Sequence, residues 1–157
     1  MTDRQITLSL PDAEATAERA RALAPQLEAG DVILLEGDVG AGKTHFARAL
    51  IQSILPVPED VPSPTFTLIQ TYDSRLGPVW HADLYRITST HEIEELGLAE
   101  AFESAICLVE WPDRLAEIAP PEALCLSFTM ADTLGARDLR AEWSATKWND
   151  KLAGWRR

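Results

Sequence analysis

The chain has 157 residues, of which 46% are hydrophobic, and a formal net charge of −11. This length predicts one folded domain over residues 1–157, and no apolar run approaches the ~20 residues needed to span a bilayer. The acidic balance disfavours a broad electrostatic grip on nucleic acid. Since no secretory signal begins the chain, we expect a soluble, cytoplasmic protein without a membrane association.

The first half of the chain predicts two alternations of strand and helix. "TLSLPD" is a short strand, after which Asp12 can cap a helix through "AEATAERARALAPQLEA". "DVILLEG" is apolar on both faces, as expected of a buried parallel strand. "THFARALIQSIL" then places its apolar residues on one helical face.

The second half predicts a proline-rich loop, two hairpins, helical segments and another buried strand. In chain order these are the loop "PVPEDVPSP", the hairpin "TFTLIQTYD" with "PVWHADLYRI", the helical stretch "THEIEELGLAEAFES" broken near Gly97, the strand "AICLVEW", the short helix "DRLAEIA", and the hairpin "EALCLSFTMA" with "RDLRAEWSA". The predicted fold is therefore an α/β domain whose sheet mixes parallel and antiparallel strands and is flanked by helices.

Positive charge is concentrated at the C-terminal end. Residues 136–157 carry six basic and three acidic side chains, whereas the rest of the chain is strongly acidic. Two interpretations remain open for this tail: a solvated end with ordinary charges, or a docking surface for an acidic partner.

The stretch between the first buried strand and the second helix carries the clearest functional signal. Gly37, Gly42, Lys43 and Thr44 fit G-x-x-x-x-G-K-[ST], the phosphate-binding P-loop. Glycines let backbone N–H groups face phosphate oxygens, the lysine reaches the β and γ phosphates, and the hydroxyl ligates Mg²⁺. The nucleotide-binding loop residues are Gly37, Asp38, Val39, Gly40, Ala41 and Gly42. A guanine-recognition element Asn-Lys-x-Asp is absent, which favours ATP over GTP; the alternative is a glycine-rich turn with a surface lysine.

A carboxylate at the end of another buried strand would complete a magnesium site. Glu110 directly follows "AICLV", so its side chain is expected at the carboxyl edge of the sheet, where ligands of open α/β sheets bind. The alternative is an ordinary surface glutamate. His81 and Asp83 lie two apart on a predicted strand and share a face, which is compatible with either a functional or a structural pair.

Five segments, in this order and at these separations, resemble one known family. They are "GDVGAGKTHF", "SPTFTLIQTY", "HADLYRI", "EELGL" and "LVEWPDRL". The chain resembles the TsaE (YjeE) family, the ATPase component of bacterial tRNA threonylcarbamoyladenosine synthesis, over roughly residues 10–115.

The resemblance implies specific roles for individual residues. Thr65 is similar to a switch threonine near the γ phosphate, Asp83 to a residue required for activity, and Glu110 to the magnesium partner. Thr16 corresponds to a region near the adenine. At His45 the family more often has a second hydroxyl residue, which contacts the α phosphate; backbone donors could replace that contact.

The resemblance also implies the activity and the partners. The protein would bind Mg-ATP, hydrolyse it slowly alone, and act with TsaD and TsaB, touching tRNA only through that complex. Two other functions remain open: a small-molecule kinase, which needs a mobile arginine-bearing lid not evident here, and a nucleotide-dependent switch that does not hydrolyse.

Overall fold

The computed structural model describes residues 4–38 and 40–156, and within them seven strands form one sheet. The strand order across the sheet is β1-β7-β6-β2-β5-β4-β3. The strands are β1 (Gln5–Leu10), β2 (Val32–Glu36), β3 (Ile69–Ser74), β4 (Gly77–Asp83), β5 (Ile106–Glu110), β6 (Leu124–Met130) and β7 (Arg137–Glu142).

The sheet mixes strand directions as predicted. β2 lies at its centre and pairs in parallel with both β5 and β6, and β4 pairs in parallel with β5. The pairs β1–β7, β6–β7 and β3–β4 are antiparallel. All five residues of β5 are buried, which explains the continuous apolar run in its sequence, because a central parallel strand is covered on both faces.

Helices cover both faces of the sheet. They are α1 (Ala13–Leu23), α2 (Lys43–Ile54), α3 (Thr90–Glu95), α4 (Leu98–Ser104) and α5 (Lys147–Lys151), with 3₁₀ segments at Ala24–Gln26, Pro112–Ile118 and Ala153–Arg156. The buried side chains of α1 and α2 share one core with alternate residues of β2 and β5, and those of α3 and α4 share a second core with the other residues of these strands. No helix within the described ranges is both long and apolar enough to cross a membrane.

The first predicted hairpin is shorter than its sequence pattern indicates. Residues 65–67 form a turn and β3 begins only at Ile69. The Leu68 N–H donates to the carbonyl of Pro64 at 2.7 Å, and Leu68 has a positive φ of 70°. This turn removes Thr65 from the strand and leaves it in a loop beside the end of β4.

The C-terminal residues pack into the protein, which contradicts the interpretation of the basic tail as a solvated end. Beyond β7 the chain forms α5 and a 3₁₀ segment, whose residues Trp148, Leu152 and Trp155 are buried. Trp155 meets the ring of Phe46 in α2 edge-on, with 6.2 Å between ring centroids. Apolar burial therefore fixes this segment against α1 and α2.

An internal ion cluster takes up two of the tail's charges. Asp31, which is 1% exposed, accepts hydrogen bonds from the ammonium groups of Lys147, at 2.8 Å, and Lys151. The same carboxylate accepts from the backbone N–H of Glu28 at 3.0 Å. These two lysines compensate a buried carboxylate inside the protein and are not free for an acidic partner.

Candidate active site

Three strand ends meet at one edge of the sheet and define the candidate site. β2 leads into the P-loop, β5 ends at Glu110, and Asp83 at the end of β4 lies opposite Glu110 in the register. Parallel neighbours bring their carboxyl ends to the same edge, which is where open α/β sheets bind ligands. A cleft of about 410 Å³ occupies this edge and is lined by Gly40, Gly42, Lys43, Thr44, His45, Thr65, Asp83, Tyr85, Glu110 and Trp111.

The P-loop backbone needs its glycines at two positions. Gly37 has φ +142°, and a Cβ there would lie 2.6 Å from the carbonyl oxygen of Phe128. Gly42 has φ +113° and immediately precedes α2. Both conformations are unfavourable for other residues, so the glycine spacing of the motif is required by the loop geometry itself.

Lys43 is almost fully buried although it carries an ammonium group. Its exposure is 4%, its Nζ donates to the Gly37 carbonyl at 2.5 Å, and Nζ lies 3.6 Å from the centroid of the Trp111 ring. Burial lowers the pKa of Lys43, and the negative charges of Glu110 and Asp83 oppose this effect. An ammonium has three donors, so donors remain for an anion in the cleft.

Glu110 is held at both carboxylate oxygens. The Thr44 hydroxyl donates to Oε1 at 2.7 Å, and Nε2 of His81 lies 2.7 Å from Oε2. Glu110 is 2% exposed and His81 is fully buried. The surface-glutamate alternative is therefore wrong, since this carboxylate lies in the interior beside the first turn of α2.

Asp83 connects the end of β4 to the proline-rich loop. Its Oδ1 accepts from the backbone N–H of Tyr85 at 3.0 Å, and its Oδ2 accepts from the Thr65 hydroxyl at 3.4 Å. Thr65 also shares a 2.7 Å hydrogen bond with the hydroxyl of Ser63. Asp83 is 6% exposed, so its carboxylate is fixed by these contacts while still lining the cleft.

The other predicted binding residues lie at different distances from the cleft. His45 lines it, and its Nε2 contacts the carbonyl oxygen of Ala13 at 3.0 Å. Thr16 is buried in α1 and does not line it. Three other P-loop residues do not line the cleft. They border a neighbouring pocket beside the end of β6 and are Gly37, Asp38 and Ala41. Val39 lies outside the described residues.

Tyr85 and Arg137 contribute to the site but were not singled out as site residues from the sequence. Tyr85 and Trp111 form a tilted ring pair, 4.8 Å between centroids, at the cleft wall. Arg137, at the start of β7, donates through Nη2 to the Gly40 carbonyl at 3.0 Å and so braces the loop. His81 was recognised only as one member of a polar pair. The spacing of His81 and Asp83 was the available signal; for Arg137 the sequence offers none.

The hydrogen-bond donors and oxygen ligands of this cleft fit a nucleoside triphosphate with Mg²⁺. Positive backbone φ values at Gly40 and Gly42, the N-terminus of the twelve-residue helix α2 and the Lys43 ammonium all favour phosphate oxygens. The Thr44 hydroxyl and the Glu110 carboxylate are hard oxygen donors 2.7 Å apart, the ligand type that Mg²⁺ prefers.

Comparison with known proteins identifies the same family. The family model described as "Threonylcarbamoyl adenosine biosynthesis protein TsaE" matches residues 10–139. The chain is 38% identical over 125 residues to a Rickettsia felis protein named tRNA threonylcarbamoyladenosine biosynthesis protein TsaE, covering 80% of this chain and 73% of that protein. The protein of the same name from Bacillus subtilis is 39% identical over 122 residues, covering 77% and 75% of the two chains.

A solved structure agrees with this result. The crystal structure of YdiB from Bacillus subtilis superposes with a TM-score of 0.81 and 29% sequence identity, covering 98% of this chain and 95% of that one. At this coverage the superposition extends over the whole sheet of this chain and its covering helices. The chain therefore belongs to the TsaE family of threonylcarbamoyl adenosine biosynthesis proteins.

Proposed function

We propose that this protein is a Mg²⁺-dependent ATPase that supports threonylcarbamoyladenosine modification of tRNA and acts with TsaD and TsaB. The observation that carries the proposal is the convergence of Lys43, Thr44 and Glu110 on one cleft at the carboxyl edge of the sheet. The names of its relatives support the pathway. We further propose that residues 1–157 act as a single domain in the cytoplasm, the compartment expected for tRNA modification.

The P-loop and the start of α2 bind the phosphates. Backbone N–H groups of Gly37, Asp38 and residues 40–42 would donate to the phosphate oxygens, and Lys43 would exchange its carbonyl contact for the β and γ phosphates. His45 and Thr16 lie towards the nucleoside end, where the contact of His45 with Ala13 joins α2 to the start of α1. The phosphates thus take the place of the Gly37 carbonyl as partner of the Lys43 ammonium, which is already buried and oriented.

Thr44 and Glu110 hold the magnesium ion. Their hydroxyl and carboxylate already contact each other at 2.7 Å, so turning the hydroxyl outwards presents two oxygen ligands on one side of the cleft. Bound by these two residues, Mg²⁺ would supply positive charge against the phosphate oxygens during transfer. Glu110 keeps its second oxygen on His81 throughout.

Asp83 and Thr65 act on the opposite side of the phosphate chain. Asp83 has one oxygen fixed by Tyr85 and the other shared with Thr65, so its carboxylate is poised to orient a water molecule or accept its proton. Thr65 belongs to the loop that brackets the γ-phosphate end and exchanges its contacts as that loop closes.

Fast phosphoryl transfer uses one component that the described residues of the cleft do not include. Within residues 4–38 and 40–156, no arginine lines the cleft. An arginine supplied by a partner can accelerate transfer by about 10³ or more. TsaD with TsaB therefore docks at the nucleotide face, orders the loop around Thr65 and raises turnover.

The fate of the γ phosphate tests this function. The protein is incubated with γ-labelled ATP and Mg²⁺, alone and with purified TsaB–TsaD, beside the Glu110→Gln variant. Label released as inorganic phosphate, stimulated by the partners and lost in the variant, supports the ATPase. Label transferred to a metabolite would indicate a kinase, and nucleotide binding without release of label would indicate a switch.

A further inference from the structure

We propose that His81 is a positioning residue that fixes the carboxylate of Glu110 for magnesium. The inference rests on the proposed function. It assigns a purpose to a fully buried imidazole that does not itself line the cleft but contacts Glu110, which does.

The strand register brings His81 beneath the metal carboxylate. Asp83 pairs with Glu110 across β4 and β5, and His81 lies two residues before Asp83, so the three side chains share the sheet face that packs against α2. His81 thus approaches Glu110 from inside the protein, while Thr44 approaches it from the first turn of α2. The carboxylate is held between the two.

Among the described residues, the contact with Glu110 is the only hydrogen bond that the His81 ring makes. Its Nε2 contacts Oε2 of Glu110 at 2.7 Å, whereas its Nδ1 has no hydrogen-bond partner among the described residues. A carboxylate oxygen can only accept, so Nε2 carries the hydrogen and donates. Burying a polar ring with one atom unpartnered costs free energy that an apolar side chain would avoid.

When magnesium binds, Glu110 loses its hydrogen bond from Thr44 and keeps its hydrogen bond from His81. The Thr44 hydroxyl leaves Oε1 in order to ligate the ion, so this contact cannot keep the carboxylate in place. The His81 contact to Oε2 is on the interior side and has no need to change. His81 therefore keeps Oε1 directed at the cleft, in the way that a hydrogen-bonded neighbour orients a metal ligand.

Three substitutions at His81 distinguish a hydrogen-bond donor to Glu110 from a side chain that only fills space. His81→Leu removes the donor. His81→Gln places an amide N–H near the position of Nε2 and keeps the donor. His81→Asn is polar, but its shorter amide reaches only about as far as Nδ1, so Glu110 loses its partner.

The measurement is the affinity for ADP, obtained by calorimetry in EDTA and at increasing Mg²⁺ concentrations. Because ADP is the ligand, the measurement does not depend on hydrolysis. Binding in EDTA is expected to match the wild type in all three variants. We expect His81→Leu and His81→Asn to need about tenfold more Mg²⁺ for half of the metal-dependent gain in affinity, and His81→Gln to need less than about threefold more. Circular dichroism reports folding; if the leucine variant does not fold, the comparison of glutamine with asparagine decides.

Two results would overturn the inference, and only the second would also overturn the proposed function. Equal Mg²⁺ requirements in the wild type and the His81→Asn or His81→Leu variant would show that His81 only fills space. If the wild type itself gains no affinity from Mg²⁺, the magnesium assignment of Glu110 fails together with the role of His81, and the proposed function must be revised.

Discussion

Replacing Lys43 with methionine should abolish most nucleotide affinity while the fold survives. Methionine keeps an unbranched apolar stem against Trp111 and removes the ammonium that lies 3.6 Å from that ring. A hydrogen bond to a charged group contributes about 1.5–3 kcal/mol. Because about 1.4 kcal/mol corresponds to tenfold in affinity, we expect roughly 10- to 150-fold weaker binding of ATP.

The cost of the same substitution to folding should be small because opposing effects cancel in part. The variant loses the 2.5 Å hydrogen bond from Nζ to the Gly37 carbonyl, but it also removes a charge from a side chain that is only 4% exposed. Thermal unfolding followed by circular dichroism should show one cooperative transition, shifted by a few degrees. Lys43→Ala is the comparison that removes the stem as well.

The pH dependence of stability supplies a further check on the environment of Lys43. Its pKa in the folded protein is lowered by burial from an ordinary value of 10.5. Between these two pKa values the unfolded state binds more protons than the native state, so this residue makes stability rise with pH. The free energy of unfolding, measured against pH for wild type and Lys43→Met, should differ by that rising component as the pH approaches 10.5.

Calorimetric titration with ATP and Mg²⁺ decides the main point. Binding by Lys43→Met within about threefold of the wild type, a difference of only about 0.7 kcal/mol, would refute the reasoning that this ammonium binds the phosphates. A flat difference in the pH experiment would instead show that Lys43 is more hydrated than its burial indicates.

Three other substitutions have distinct expected effects. Glu110→Gln keeps the shape and an acceptor for His81, so phosphate release should fall much more than ATP affinity; parental hydrolysis with partners would show that Glu110 is structural. Thr65→Val removes the hydroxyl that contacts Asp83, and it should reduce partner-stimulated turnover while ATP binding in calorimetry stays unchanged; unaltered stimulation would contradict the role of Thr65. Asp31→Ala leaves Lys147 without its carboxylate and Lys151 with Glu28 alone, at 3.6 Å, which should cost about 3 kcal/mol of unfolding free energy and roughly 6–12 °C in Tm; an unchanged Tm would mean that the cluster does not anchor the C-terminal helix.

Much of the site could be predicted because its signals are local. The P-loop needs glycine where φ is positive, and the motif therefore appears in consecutive residues. Glu110 could be placed at the carboxyl edge from its position after an apolar run. Its burial and its contact with His81 could not be predicted, because they depend on the register between β4 and β5, which no local pattern fixes.

The C-terminal segment shows where charge was the misleading signal. Its basic residues suggested a solvated or docking tail, yet Trp148, Leu152 and Trp155 recur at the four- and three-residue spacing of one helical face. That periodicity could have revealed the buried segment. The partner of its lysines, Asp31, is more than a hundred residues away, so only the folded structure brings the cluster together.

The loop before β3 shows a limit of strand propensity. The run "TFTLIQTYD" is rich in β-formers, but the bond from the Leu68 N–H to the Pro64 carbonyl closes a turn over its first residues. As a consequence, Thr65 lies beside Asp83 in a loop instead of in the sheet ladder.

We propose above all that ATP hydrolysis at this cleft sustains tRNA modification by the partner proteins. The most direct measurement counts threonylcarbamoyladenosine formed per TsaD in a reconstituted reaction containing TsaB, TsaD, tRNA, the threonylcarbamoyl donor, ATP and Mg²⁺, with wild-type protein, with Glu110→Gln, or with neither. We predict many modified tRNAs per TsaD with the wild type, and about the number seen without the protein when Glu110→Gln is used. Equal multiple turnover with wild type and Glu110→Gln would contradict the account.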